Sequence, residues 1–151
     1  MKSSIALPLV AASTFALCAG AHAADYFSKQ TTAPVELSVG SGIPVTVLSV
    51  EVPAGIWVVV AKASLVNKGL MDWGRCSLVA NRKTYNDASA MVGLESALPA
   101  VSTVTVLAVI PALAESSSRK IQLQCSHDDP NTPQYVDSGA SIVITRAPGT
   151  D

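Results

Sequence analysis

The sequence predicts an all-β protein, an antiparallel β-sandwich of about eight strands. From residue 34 onward, apolar and polar residues alternate with a period of two in one segment after another. Turn residues separate these segments at intervals of roughly 8–12 residues, which is typical of sandwiches. Helical spacing of apolar residues is hard to find, and no segment repeats another.

The first 23 residues precede this pattern and have the features of a signal peptide. A basic start, Met1-Lys2, is followed by an apolar run to Cys18, and Ala21-His22-Ala23 is a small-x-small cleavage site. The run is shorter than the roughly 20 residues that a membrane-spanning helix needs. We therefore expect an exported protein, periplasmic or extracellular, with no membrane insertion after the signal is cleaved.

Cleavage after Ala23 leaves 128 residues (151 − 23), enough for one domain with a proper core. Without Lys2 the chain has 9 basic and 11 acidic residues, so its net charge is about −2. This charge, with only 5% aromatic residues, argues against nucleic acid and anionic membranes as partners. The sequence is thus divided into a signal peptide (1–23), a flexible N-terminal arm (24–33) and a single sandwich domain (34–151).

Turn signals set the strands in the first part of the domain. Gly40-Ser41-Gly42 ends the alternation of residues 35–39, and Pro53-Ala54-Gly55 separates the segments 44–52 and 56–66. Trp57 and every second residue after it share one face, which predicts a core position for this tryptophan.

The second part of the domain continues the pattern. Asn81-Arg82-Lys83 is predicted to be a hairpin loop, and 101–110 is β-branched and apolar on both faces, as in a central strand. Residues 112–118 are expected to form a loop, and 127–139 is a polar loop with two prolines. The strands predicted in this part are 73–80, 85–91, 101–110, 120–126 and 140–147.

Two of the three cysteines, Cys76 and Cys125, remain after the signal peptide is removed. Each occupies a core-facing position of its predicted strand, and an oxidising compartment favours their pairing. We expect one disulfide, formed either across neighbouring strands or between the two sheets.

A resemblance to a known family emerges from the order of these segments. Val52-Pro53-Ala54-Gly55-Ile56-Trp57, continued by an alternating strand, resembles a segment of small bacterial jelly-roll domains similar to the C1q/TNF-like family. Cys76-Ser77-Leu78, Ile121-Gln122-Leu123-Gln124-Cys125 and Ile144-Thr145-Arg146-Ala147 follow in a similar order. The resemblance covers most of 35–147 and implies a sandwich of jelly-roll type that binds partners and often trimerises. The chain departs from that family in lacking the aromatic residues of its trimer interface.

The residues give no signature of catalysis or of a cofactor. After cleavage one histidine remains, His127, next to Asp128 and Asp129, and no G-x-S-x-G or other nucleophile motif accompanies it. Two oxidised cysteines and one histidine do not make a zinc site. The acidic residues of the loop match no EF-hand spacing. We expect His127 to be exposed in a solvated loop, and the protein to be neither an enzyme nor a metalloprotein.

Trp73 and Arg75 are the candidate ligand contacts. Trp73 lies at the start of a strand, out of phase with Cys76 and Leu78, which favours exposure, and Arg75 is close to it in sequence. The sequence therefore predicts an exported, non-enzymatic binding or structural module for a protein or carbohydrate ligand, with oligomers allowed. The alternatives are a fimbrial or surface-assembly subunit, and an enzyme with a site at the His127 loop.

The exported protein is predicted to start at Ala24. Intact-mass measurement and N-terminal sequencing of exported material check this. A lipid adduct on Cys18 would contradict it and would place the protein on a membrane; bulky Leu17, where a lipoprotein signal has a small residue, argues against that outcome.

Overall fold

A computed structural model describes residues 26–93, 100–112 and 118–147. The predicted signal peptide, Ala24 and most of the predicted 112–118 loop lie outside these ranges. The described residues form β-strands and their connections, and no membrane-spanning helix occurs among them. The strands are β1 (Tyr26–Gln30), β2 (Val35–Glu36), β3 (Val45–Pro53), β4 (Trp57–Asn67), β5 (Asp72–Ala80), β6 (Lys83–Val92), β7 (Ala100–Ile110), β8 (Ser118–His127), β9 (Gln134–Val136) and β10 (Ser141–Arg146).

The strands form two antiparallel sheets. In the first sheet β4 is central: β7 pairs with its whole length on one side. On its other side β10 pairs with 57–62 and β9 with 65–67, while β1 lies outside β10 and β2 outside β9. The second sheet has the order β3-β8-β5-β6. This architecture confirms the predicted fold class, an antiparallel sandwich of jelly-roll type.

The core lies between the two sheets and follows from the period-two alternation. Inward-facing residues of β4 and β10 meet those of β5 and β8, since successive side chains of a strand point to opposite faces. Trp57 is fully buried, as predicted, and packs edge-to-face against Phe27 at a ring-centroid distance of 5.5 Å. The largest buried apolar side chains are Trp57, Leu65, Leu78, Ile110, Ile121, Leu123, Ile142 and Ile144.

The described residues contain ten strands instead of about eight, because two short strands lie in segments predicted to be irregular. β1 lies within the predicted flexible arm: its backbone pairs with β10 from Tyr26↔Thr145 to Gln30↔Ser141. Its side chains are mostly exposed, so no alternation marks it. β9 lies within the predicted polar loop, and its alternation is hidden because Gln134, a polar residue, points inward.

The prediction that 101–110 forms a central strand is wrong. β7 pairs by backbone hydrogen bonds with β4 alone and is an edge strand of the first sheet. Its outward residues Val101, Leu107 and Val109 are exposed. The apolar residues on both faces of β7 therefore reflect an apolar outer face of this sheet, not burial on both sides.

The disulfide between Cys76 and Cys125 is confirmed, and it joins neighbouring strands rather than the two sheets. The two residues are directly opposite each other in the β5–β8 ladder, with Cα atoms 4.1 Å apart. Both are buried in the core.

Replacing both cysteines by serine or alanine is predicted to lower the free energy of unfolding by about 4 kcal/mol, because the bond closes a loop with a sequence separation of 49. Urea denaturation of the variant and the parent measures this. Because both cysteines are paired in the native protein, thiol titration of the native protein should detect no free thiol. Because the bond is buried, reductant should reach it only after the protein unfolds. Two titratable thiols in native protein would contradict the assignment.

Candidate functional site

A cluster of buried polar side chains lies at one end of the sandwich. Strand pairing brings it together, since Gly74 of β5 is opposite His127 of β8, and Asn67 of β4 is opposite Gln134 of β9. The buried polar residues at this end are Asn67, Asp72, His127, Thr132 and Gln134. Buried polar groups remain favourable only when they are hydrogen-bonded, so the partners of each determine what the cluster does.

The Asp72 carboxylate is the acceptor at the centre of this cluster. Its Oδ1 atom accepts a hydrogen bond from Trp73 N at 2.7 Å, and Asp129 N lies 3.1 Å from both carboxylate oxygens. Its Oδ2 atom lies 2.9 Å from Gln134 Nε2, 3.1 Å from Thr132 Oγ1 and 3.0 Å from His127 Nδ1. Donors from five residues thus surround one carboxylate, the pattern that stabilises a buried negative charge.

His127 has an acceptor at each ring nitrogen. Its Nε2 atom lies 2.6 Å from the Ser38 carbonyl oxygen, which can only accept, so Nε2 carries a hydrogen. Its Nδ1 atom lies within hydrogen-bond distance of the Asp72 carboxylate, at 3.0 Å from Oδ2. The ring is therefore fixed in place by one side-chain and one backbone acceptor.

The predicted exposure of His127 is wrong: only 1% of the residue is accessible. The residue ends β8 and points inward in the same phase as Leu123 and Cys125. That phase was visible in the sequence, but the polar residues after His127 favoured assigning it to the loop. Its partner is Asp72, which the sequence analysis did not single out.

The pair Asp72–His127 resembles the acid and base of a hydrolytic triad, but its geometry differs at the nucleophile position. The ring nitrogen distal to Asp72 faces a backbone carbonyl instead of a hydroxyl or thiol, and Thr132 Oγ1 lies by the carboxylate. Within the described part of the chain, no group of three or more His, Cys, Asp or Glu side chains could hold a metal ion. The arrangement can hold segments together, and it favours a structural role for His127.

The cluster fixes the connections around it. Asn67 Nδ2 donates to the carbonyl oxygens of Leu70 and Val92, and Gly42 N donates to the His127 carbonyl oxygen at 2.7 Å. Asp128 N donates to the Trp73 carbonyl oxygen at 3.2 Å. Segments before β3, before β5 and after β8 are thereby tied to one buried centre.

Trp73 and Arg75, the predicted ligand contacts, lie on the outer face of the second sheet beside this centre. Trp73 of β5 is opposite Met91 of β6, and on its other side it accepts a hydrogen bond from Asp128, the residue that follows β8. Arg75 lies two residues along β5 from Trp73. Met71 shares the outward phase of Trp73, and Leu70 precedes it. We call Leu70, Met71, Trp73 and Met91, with Arg75 and Asp128 at their border, the Trp73 surface.

The apolar residues of the Trp73 surface are well exposed. Leu70 is 65% accessible, Met71 45%, Trp73 43% and Met91 46%. Gly93 adopts φ +125° and packs directly against the backbone of Leu70 and Met71. A Cβ atom at this position would lie 2.8 Å from Met71 Cα, so the close approach requires glycine. The Trp73 surface therefore lies on a closely packed backbone.

Arg75 and Asp128 form an ion pair, and both side chains are partly exposed. The hydrogen bond that Arg75 donates to the Asp128 carboxylate, strengthened by the carboxylate's charge, raises the pKa of the Arg75 guanidinium above its usual value. The next outward positions on the same face are polar: Ser77, Ser89, Gln124 and Ser126. The Trp73 surface is thus an apolar area with one charge of each sign in an otherwise polar face.

Two clefts lie elsewhere, along β1. One of about 460 Å³ is bordered by residues 29–35 and 46–49, and one of about 280 Å³ by residues 28–30 and 141–143. Neither of these two clefts includes Trp73 or Arg75 among its lining residues.

No protein-family model matches this sequence, and no curated protein matches it significantly. Solved structures with a similar fold include VP2 of infectious bursal disease virus in its subviral particle, with a TM-score of 0.47 and 12% identity over 80% of this chain and 32% of the viral chain. A structure of the Gt strain of the same virus has a TM-score of 0.46 and 13% identity, over 91% of this chain and 37% of the viral chain. Eiger TNF from S. frugiperda has a TM-score of 0.43 and 7% identity, over 79% of this chain and 94% of the Eiger chain. This chain spans about a third of the viral chains, and at these identities the likeness concerns the fold alone.

Replacing Asp72 by Asn is predicted to lower the free energy of unfolding by about 3–5 kcal/mol, because it removes the buried carboxylate that accepts the hydrogen bonds of this cluster and leaves their donors unsatisfied. Urea denaturation measures the loss. Asp87→Asn, the same change at an exposed position of β6, is the control and should stay within about 0.5 kcal/mol of the parent. Equal stability of the two variants would contradict the central role of Asp72.

Proposed function

We propose that this protein is an exported, non-enzymatic binding module whose macromolecular ligand contacts Trp73 and Arg75. The observation that carries the proposal is the placement of Trp73. Its indole is exposed, while its backbone N–H donates to the buried Asp72 carboxylate and its backbone carbonyl accepts from Asp128 N. Rigid exposed aromatic residues are enriched at binding surfaces because they bury much apolar area and lose little conformational freedom.

The neighbours of Trp73 favour a protein ligand over a carbohydrate. Met71 and Met91 are flexible, polarisable side chains that adapt to an apolar partner surface. Arg75 supplies the planar donor group that is enriched in protein interfaces. A carbohydrate ligand would instead stack on Trp73 and use the Arg75–Asp128 pair for hydrogen bonds, and the experiment below distinguishes the two.

Export and the lack of catalysis are parts of the same proposal. The buried disulfide supports an oxidising compartment, where such bonds persist. The contact between His127 Nε2 and the Ser38 carbonyl supports a structural histidine over a general base. The net charge of about −2 after cleavage supports a ligand other than nucleic acid or an anionic membrane.

A surface-assembly subunit is the second candidate, and β1 is the observation that favours it. This N-terminal strand lies at the edge of the first sheet, and Phe27 is its main inward anchor. A peripheral strand with one anchor is the type of element that two chains can exchange.

Photo-crosslinking through a benzoylphenylalanine residue at position 73, in the protein expressed in its native cells, tests the main proposal. We expect one dominant adduct, and mass spectrometry of the adduct identifies it as peptide or glycan. The matched control carries the same residue at Leu107, which is exposed on the outer face of the other sheet. Identical adducts at both positions, or none at position 73, would overturn the proposal.

A further inference from the structure

We propose that the Trp73 surface binds a second copy of itself, so that two chains associate about a two-fold axis at this end of the sandwich. The inference rests on the proposed function, because it names the partner of the same surface. Two properties of the Trp73 surface support self-association. It has an apolar centre, and its border carries one positive and one negative charge, Arg75 and Asp128, which can face the opposite charges of a second copy.

The apolar centre is continuous. Met71 lies two residues before Trp73, just ahead of β5, and Met91 on the edge strand β6 is the direct cross-strand partner of Trp73. Side chains so placed are about 5–7 Å apart and form one contact area. Large apolar side chains grouped in this way mark interaction sites in soluble proteins, because their burial removes apolar area from water.

The bordering charges argue for a second copy over an unrelated partner. Arg75 and Asp128 lie side by side, with side chains 42% and 37% exposed. A two-fold axis that lies in the interface, crosses the apolar centre and passes between Arg75 and Asp128 places Arg75 of each chain near Asp128 of the other, because a two-fold interface brings pairs of residues together reciprocally. The surface therefore carries a charge pattern that is attractive to its own rotated copy.

Each chain also has its own Arg75–Asp128 pair, so the association would form a four-charge group of net charge zero. No charge remains unpaired when the apolar centre is buried. An unrelated partner would need its own matching pair of opposite charges at this spacing.

Charge reversal tests the proposal by sedimentation velocity of the mature protein over a concentration series. The parent should dimerise, while Arg75→Asp and Asp128→Arg should each dimerise at least about tenfold more weakly because like charges meet. A 1:1 mixture of the two variants should dimerise about as well as the parent. Neither variant can repair the pair within its own chain, so restoration in the mixture requires contact between chains.

Two further variants keep the test decisive. Arg82→Asp makes the same reversal in the β5–β6 hairpin at the opposite end of these strands and should leave dimerisation unchanged. Met91→Lys, in an exposed position that no buried group depends on, should abolish dimerisation without changing the melting temperature by more than a few degrees. Met91→Lys tests whether the Trp73 surface forms the dimer even if either charge-reversal variant fails to fold.

A parent that stays monomeric at all concentrations, or a mixture no more dimeric than its components, would overturn the inference. If the chain is monomeric but position 73 crosslinks to a different macromolecule, the binding function stands and self-association is wrong. If the chain is monomeric and position 73 gives no adduct, both fail.

Discussion

The buried carboxylate of Asp72 is the group on which this end of the molecule depends. Removing a charge from water costs several kcal/mol, and the cost is offset only where donors surround the charge with good geometry. Here the donors come from β5, β8, β9 and the segment between the last two, through Trp73, His127, Gln134 and Asp129. Each donor has its place only if its segment is correctly positioned. The carboxylate therefore couples the start of β5 to the end of β8, to β9 and to the segment between β8 and β9.

The same two strands are joined twice, by chemistry of different kinds. The Cys76–Cys125 bond links β5 and β8 within the core, and two residues further along each strand Gly74 and His127 are opposite each other. The hydrogen bond between His127 and Asp72 then closes the end of that ladder. Trp73 follows Asp72 directly and belongs to this doubly fixed pair of strands. Its indole is exposed, while its backbone N–H and carbonyl groups are both hydrogen-bonded.

Much of the sandwich was predictable because its strands alternate clearly, and the failures at the buried polar cluster share one physical cause. Asp72 and His127 each extend the inward phase of a strand, Asp72 ahead of Gly74 and Cys76, and His127 after Cys125. When inward positions are identified by their apolar side chains, a strand is taken to end at the first polar residue in that phase. Asp72 and His127 were therefore both assigned to the connections. Only the pairing of β5 with β8 reveals that two inward polar residues meet and satisfy each other, and no local pattern contains that pairing.

The molecule has a second exposed apolar area, on the outer face of the first sheet, and the comparison clarifies what makes the Trp73 surface specific. Val60, Leu107 and Val109 are exposed there on β4 and β7. These are aliphatic side chains on a sheet face, and the charged residue beside them on β4, Lys62, has uncharged cross-strand partners, Thr105 and Ser141. Burial of such a face is favourable in many orientations, because apolar contact has no direction. At the Trp73 surface, Arg75 and Asp128 add direction: of all the rotations that bury the apolar centre, a two-fold one brings opposite charges together. Specific association needs this second property, which only one of the two apolar areas has.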